Sequence, residues 1–325
     1  MDKFYIFDVA HGNTALAVSG AQCMVFDAAP KDVLLRAIKQ LGITVIDSIF
    51  LSHADKDHVG GVVNLLASKE VQVNKLYMNP DSTKKGPQYQ RLRLSIHDAI
   101  KMKNLKCQNL TTESSDFQLG DIDLKILAPA YADYLSGAGG VTMNGKSIDS
   151  NSASAVIQLH HQGHPIALLA ADMSEYALQQ IINEGVDVRT DILVFPHHGG
   201  ICADDNPAFA KALAKAVNSK ITLFSIGRNK FDNPRPEIVS AVREATPGTH
   251  IMCTQLSCNC IKQIPSNKSD WENHLHDLPS AGRGEGISCS GSISIELNGY
   301  KTAYPGIGMH STFVQLNVPD GICKN

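Results

Sequence analysis

LSHADKDHVGG, residues 51–61, gathers two imidazoles and two carboxylates within six positions: His53, Asp55, Asp57 and His58. The run before it, VIDSIFLS, has the β-branched and apolar content of a buried strand. The run after it, VGGVVNLLASK, spaces its apolar residues as a helix does. The four polar residues therefore stand at the carboxyl end of a strand, where a helix begins. Charged groups collect at such a place only when something binds them there. In an extended turn His53 and Asp55 point one way, and Asp57 and His58 open the helix. Mixed imidazole and carboxylate ligands suit zinc or manganese, and an open site with few ligands suits hydrolysis.

Working outward, the same placement recurs twice. IALLAADM puts Asp172 at the end of another strand, and DILVFPHHGG puts His197 and His198 at the end of a third. These three strand ends are expected to converge on one sheet edge. Around them the chain alternates strands with helices. FYIFDV, TALAVS and QCMVFDA read as a meander, DVLLRAIKQLG as a helix, and VQVNKLYM as the next strand. The second half runs SAVIQLH, IALLAA, MSEYALQQIINEG, DILVFP, NPAFAKALAKAV, ITLFSIG and PEIVSAVREA in the same style. This is an α/β pattern that suits two stacked sheets with helices outside.

The motifs resemble the metallo-β-lactamase-fold hydrolases. SHADKDHVGG is similar to that family's H-x-H-x-D-H signature, with Asp55 in the place of the second histidine. Together with FDVAHGNTALAV, NSASAVIQL, LLAADM, FPHHGG and FSIGRNKFDNPRPEIV, it looks most like the branch that contains the soluble hydrolase domain of the ComEC-type DNA-uptake proteins. The resemblance covers roughly residues 1–250. It implies an αββα sandwich as a catalytic domain over 1–250, finished by a Cys-rich C-terminal extension over 251–325 packed on it. It also implies two Zn2+ or Mn2+ ions per active site: His53 and Asp55 on the first, Asp57 and His58 on the second, Asp172 bridging, and His197 or His198 completing the ligands of the second ion. Asp57, His58 and Asp172 would then be catalytic. Where the family usually has a histidine before SAVIQLH, this chain has Asn151 and Ser152, which leaves the first metal short of a ligand.

Other residues carry weaker signals. His11, in the first turn, is a candidate substrate contact, and Arg228, Asn229 and Arg235 in GRNKFDNPRP are candidate phosphate holders. His160, His161 and His164 bracket a QGHP hairpin and read as exposed turn residues. Lys84, Lys85, Arg91, Arg93, Lys101, Lys103 and Lys106 face one acid, Asp98, over residues 84–106, and Tyr89 among them could stack on a base. Cys253, Cys258, Cys260 and Cys289 are a candidate four-thiolate zinc site that would stabilise a Gly/Ser-rich tail.

Composition narrows the partners. The formal charge of −3 argues against a chain whose whole surface attracts nucleic acid, so attraction would come from the local basic run. No apolar run approaches the roughly 20 residues that span a bilayer. The start, MDKFYIFDVAHG, lacks the pattern of a signal peptide, so a cytoplasmic protein without a membrane partner is expected. The leading expectation is a phosphodiesterase or nuclease acting on DNA or RNA, with room for a regulatory protein partner, as in a defence or toxin-like effector, and for a homo-oligomer. Two alternatives stay open: a hydrolase of a small ester or nucleotide signal, and a metal-stabilised regulatory module without turnover.

Overall fold

The computed structural model describes residues 1–142, 144–228, 230–264, 271–298 and 303–324. It opens on β1 (Lys3–Ile6), β2 (Ala15–Ser19) and β3 (Gln22–Phe26), followed by α1 (Val33–Gln40), β4 (Val45–Phe50), α2 (Lys56–Val59), α3 (Val62–Ala67), β5 (Gln72–Tyr77), α4 (Pro87–Lys103) and β6 (Lys106–Gln108). The second half contains β7 (Gln118–Leu119), β8 (Ile122–Ala128), α5 (Tyr131–Ser136), β9 (Val156–His161), β10 (His164–Leu169), α6 (Glu175–Asn183) and β11 (Ile192–Val194). A 3-10 turn (Pro196–Gly199) leads to α7 (Asn206–Val217), β12 (Ile221–Phe224), α8 (Pro236–Ala245) and β13 (His250–Cys253). The tail adds β14 (Ile293–Glu296), β15 (Ala303–Tyr304) and α9 (Ile307–Asn317).

Two sheets result among the described residues, in the orders β15-β14-β1-β2-β3-β4-β5-β6 and β13-β12-β11-β10-β9-β8-β7. Each is antiparallel over its hairpins and parallel where helices cross over, from β3 to β6 and from β10 to β13. Period-two alternation sorts the side chains into layers. Phe4 and Ile6 of β1 face the space between the sheets, as do Met24 and Phe26 of β3 and Ile157 and Leu159 of β9. Their neighbours Tyr5, Cys23 and Val25 face the other way, onto α1, α3 and α4. Leu168 and Leu193 likewise leave the central layer for α6, α7 and α8. The arrangement is helix, sheet, sheet, helix, so the expected αββα sandwich is present.

Three local differences from the sequence reading have simple causes. VGGVVNLLASK is not one helix: α2 stops and α3 starts at Gly60 and Gly61, where a Cβ on Gly61 would lie 2.5 Å from the Ala29 carbonyl oxygen. The tail read only as Cys-rich and Gly/Ser-rich carries a helix, α9, which packs Phe313 and Val314 into the α6–α8 layer. His160 and His161 are not exposed turn residues. The β9–β10 turn is tight, at Gln162 and Gly163, so both histidines belong to β9 and are buried, and only His164 is exposed. The His160 ring bonds Gln158 at 3.0 Å and the His161 ring meets Asp2 at 3.1 Å.

Residues after 250 enter both sheets. β13 extends the second sheet beside β12, and β14 covers the outer edge of β1. Between them Gln255, Ser280 and Gly282 all donate to the buried carboxylate of Asp8, at 2.5–2.8 Å.

Candidate metal centre

The carboxyl ends of β4, β10 and β11 lie together, which is where open α/β sheets place their ligands. Each strand is followed by a sharp turn. Past β10, Ala171 has φ 47°; past β11, His197 and His198 have φ 50° and 58°; between β1 and β2, Ala10 has φ 63°. Left-handed backbone at four non-glycine residues around one cleft is strain that the surrounding packing holds in place. Two glycines permit the close approach. A Cβ on Gly12 would lie 2.5 Å from the Asp57 carbonyl oxygen, and one on Gly227 would lie 2.4 Å from the His11 nitrogen. The first turn thus rests directly on α2, where Asn13 N donates to Asp57 O at 3.2 Å.

The turns bring six side chains together in two groups, with His197 beside them. His53, His58 and Asp172 form one, and His11, Asp57 and His198 the other, each with its ligand atoms within 4.8 Å of one another. The His58 Nε2 lies 3.3 Å from Asp172 Oδ1, and the His53 Nε2 lies 3.7 Å from Asp172 Oδ2. In the second group Asp57 Oδ2 lies 3.0 Å from His11 Nε2 and 3.4 Å from His198 Nε2. His197 Nδ1 stands 3.4 Å from Asp172 Oδ2.

The far sides of the rings are already committed. His58 Nδ1 donates to Asp27 Oδ2 at 2.7 Å, and His198 Nδ1 donates to the Ser225 carbonyl at 2.7 Å. His53 Nδ1 meets Ser52 Oγ at 3.0 Å and Ser154 Oγ at 3.4 Å. A nitrogen that donates on one side leaves a lone pair on the other, the arrangement by which proteins orient histidine toward a metal. Those inner atoms, His53 Nε2, His58 Nε2, His198 Nε2 and Asp172 Oδ1, are buried and have no hydrogen-bond partner. Buried lone pairs left unpaired are costly unless a cation meets them, so the donor set fits a divalent ion.

The electrostatics agree. Burial alone would push the Asp57 carboxyl up, but the His11 and His198 rings beside it and the His58 charge hold it well below the usual range. Burial likewise opposes the charge on Asp172, which His58, His53 and His198 nevertheless hold well below it. Burial would push the His58 imidazole down, and Asp172 and Asp27 keep it well above its ordinary value. The carboxylates thus stay ionised and demand positive charge.

Several expectations need correction. His58 sits with His53 and Asp172, whereas Asp57 sits with His198, so the partition by sequence neighbours does not hold. The first turn of α2 explains this, because it sends adjacent side chains to different sides. Asp55 stands outside both groups, with Oδ2 3.6 Å from His53 Nε2 and its carboxylate ion-paired to Lys84, and its carboxyl is held down at about 2 by His53 and Lys84. His11 stands with Asp57 and His198 and also lines the cleft, half-buried; burial lowers its pKa.

Arg228 lines the cleft, but its guanidinium is engaged by the tail. It donates to the Leu256, Ile261 and Lys262 carbonyls at 2.7–3.0 Å and braces the tail. Arg235 precedes α8, turns toward Glu237 at 3.6 Å, and is not among the residues lining the cleft over the centre. Asn229 lies outside the described residues. The four thiols do not assemble either. Cys258 turns to Asp232 Oδ1 at 3.1 Å, while Cys253, Cys260 and Cys289 are buried in the α6–α8 layer. No thiol among the described residues joins a group at ligand spacing.

Asp27, Ser225 and Gln255 escaped the sequence reading. Asp27 had a signal, as an acid closing QCMVFDA at a strand end next to the VIDSIFLS strand. Gln255 had none. It donates to Asp8 and accepts from Arg228 N at 2.8 Å, tying the first turn to the segment after β12.

Comparison with known proteins agrees with this architecture. The family model described as the metallo-beta-lactamase superfamily matches residues 8–100. ComE operon protein 3 of Bacillus subtilis is 20% identical over 212 residues, 65% of this chain and 24% of that protein, so the chain spans about a quarter of its length. Among solved structures, the metallo-beta-lactamase fold protein YhfI from Bacillus subtilis has a TM-score of 0.50 at 12% identity, covering 78% of this chain and 96% of that one. Igni18, a metallo hydrolase from Ignicoccus hospitalis, gives 0.45 at 12% identity over 77% and 94%. The chain has a metallo-β-lactamase fold.

Proposed function

We propose that this chain is a metal-dependent hydrolase of phosphodiesters. The observation that carries the reading is the set of buried, unpartnered ligand atoms on His53, His58, His198 and Asp172, beside a cleft of about 680 Å³ that Asp57 and Asp172 line. His53, His58 and Asp172 would hold one ion, and Asp57, His198 and His11 the other. Such ions lower the pKa of a coordinated water and polarise a phosphoryl oxygen.

The chain's own groups supply the rest. Asp27 and the Ser225 carbonyl fix the ring tautomers so that nitrogen lone pairs face inward. Lys31, Lys56 and Lys230 line the cleft and would balance the charge of a phosphodiester held against it. Asp172, set between His58 and His197, would present its carboxylate to the first ion. Imidazole and carboxylate donors accept either Zn2+ or Mn2+.

The test is direct. Purified protein should carry a transition metal by mass spectrometry and cleave methyl 4-nitrophenyl phosphate or an oligonucleotide. Asp57→Ala and Asp172→Ala should each lower kcat by about 100-fold or more and reduce the bound metal. Full metal content in both variants with unchanged turnover would reject the assignment.

A further inference from the structure

Two clefts flank the candidate centre and share a wall. The larger, of about 680 Å³, contains His11, Asp57 and Asp172 together with Lys31, Lys56, Lys230 and Phe231. The second, of about 440 Å³, is lined by Lys56, Lys84, Lys85, Tyr89 and Arg91. Asp55 and Lys56 border both, so the two adjoin beside the centre and could together serve as one trough. Only part of the basic run between residues 84 and 106 faces it. Lys103 is spent on the Leu66 and Ser68 carbonyls, whereas Lys84, Lys85 and Arg91 line the second cleft. A trough with cations on both sides of a phosphodiester site suits an anion longer than one phosphate.

Phe231 is the second observation. Its side chain is 65% exposed at the rim of the larger cleft, with its ring centroid 4.9 Å from that of His11 and the Lys230 ammonium 5.3 Å from the ring centroid. The exposure is built in. Phe231 and Asp232 both adopt left-handed backbone, at φ 60° and 51°, and the loop is held from behind by Asn259, which donates to the Asp232 carbonyl at 2.8 Å. Strained backbone of this kind clusters at ligand sites, and here it presents a flat apolar ring at a cleft rim beside a cation. Tyr89 does not play this part, since its hydroxyl is tied to Asp81 N at 3.1 Å and its ring packs on the α1–α4 layer.

We propose that the trough carries a single polynucleotide strand, with one unpaired base stacked on Phe231 and flanking phosphates along Lys56, Lys85 and Arg91. This rests on the phosphodiesterase reading and names its substrate. A base in a duplex has both faces covered by its neighbours, so only an unpaired base offers one to Phe231. A single nucleotide would fill the first cleft and leave the second without a role.

The experiment measures binding to the full chain in EDTA, by anisotropy of labelled 20-mers of DNA and RNA: single-stranded, duplex, and single-stranded with abasic sites throughout. The native strand should bind at least 10-fold more tightly than the abasic strand. Phe231→Ala should remove that advantage and leave abasic binding in place, and Phe231→Trp should keep it. Lys85→Ala with Arg91→Ala should weaken every strand and reduce the salt slope by about 0.7 per lost contact. A preference for either sugar, or for neither, supports the shared strand site. Equal binding of native and abasic strands, a duplex bound as tightly as a strand, or a dinucleotide bound as tightly as the 20-mer would overturn it. Asp57-dependent hydrolysis of methyl 4-nitrophenyl phosphate is assayed in parallel. If it occurs while Phe231→Ala changes nothing, the strand site falls and the hydrolase stands; the reverse pattern leaves a strand-binding site without the activity.

Discussion

His58 shows how much one side chain depends on partners far away in sequence. Its ring lies between Asp27 Oδ2 at 2.7 Å and Asp172 Oδ1 at 3.3 Å, so in the absence of an ion it takes up a proton and becomes the cation both carboxylates need. Asp27→Asn keeps the shape but removes the charge and the strong acceptor. It should lower metal affinity by about 10–100-fold with little change in fold, measured by competition with a chromophoric chelator. Proton and ion compete for the same Nε2, so affinity should rise with pH below the raised pKa, by about tenfold per unit, with a proton released on binding. Calorimetry in buffers of different ionisation enthalpy would detect that proton. Ion-free stability runs the other way. The contribution of His58 is complete below its ordinary value of 6.5 and is lost as pH rises through the raised one.

Among the elements, the turns after the strands carry the site and the strands only aim them. The β1–β2 turn is pressed between α2 and the segment after β12, with Gly12 against Asp57 O and Gly227 against His11 N. Gly227→Ala would force a methyl group into that contact at 2.4 Å, and backbone cannot move aside as a flexible side chain can. We expect a loss of about 1–3 kcal/mol in urea unfolding and a larger loss of metal affinity than of stability, because His11 would be the first group displaced. An equal substitution at Gly248, which has open space around it, should do neither.

The whole molecule joins its ends. Asp8, at the start of the first turn, is fully buried and held by Gln255, Ser280 and Gly282 from the tail. The tail also supplies β13, β14 and the apolar residues Leu256, Phe313 and Val314 to the layers. A chain stopped at residue 250 would expose the edges of β1 and β12 and leave the Asp8 carboxylate buried without its tail donors. It should lack a cooperative melting transition and near-ultraviolet circular dichroism. A sharp transition close to that of the full chain would show that residues 1–250 fold alone. No helix among the described residues is long and apolar enough to cross a membrane.

LSHADKDHVGG, LLAADM and FPHHGG made the strand ends, the sandwich and six of the seven inward-facing side chains legible in the sequence, because alternation and ligand type are local properties. His11 was visible too, though with a different role. The division of those residues between two groups was not legible, since successive residues of helix α2 point to different sides and so part neighbours that a linear motif joins. Nor could sequence show that Arg228 is spent on three carbonyls, that Cys258 faces away from the other thiols, or that Asp27 stands behind His58. Those are contacts between segments 26 to 34 residues apart, decided only when the layers close on one another and each polar group must find a partner or remain unpaired.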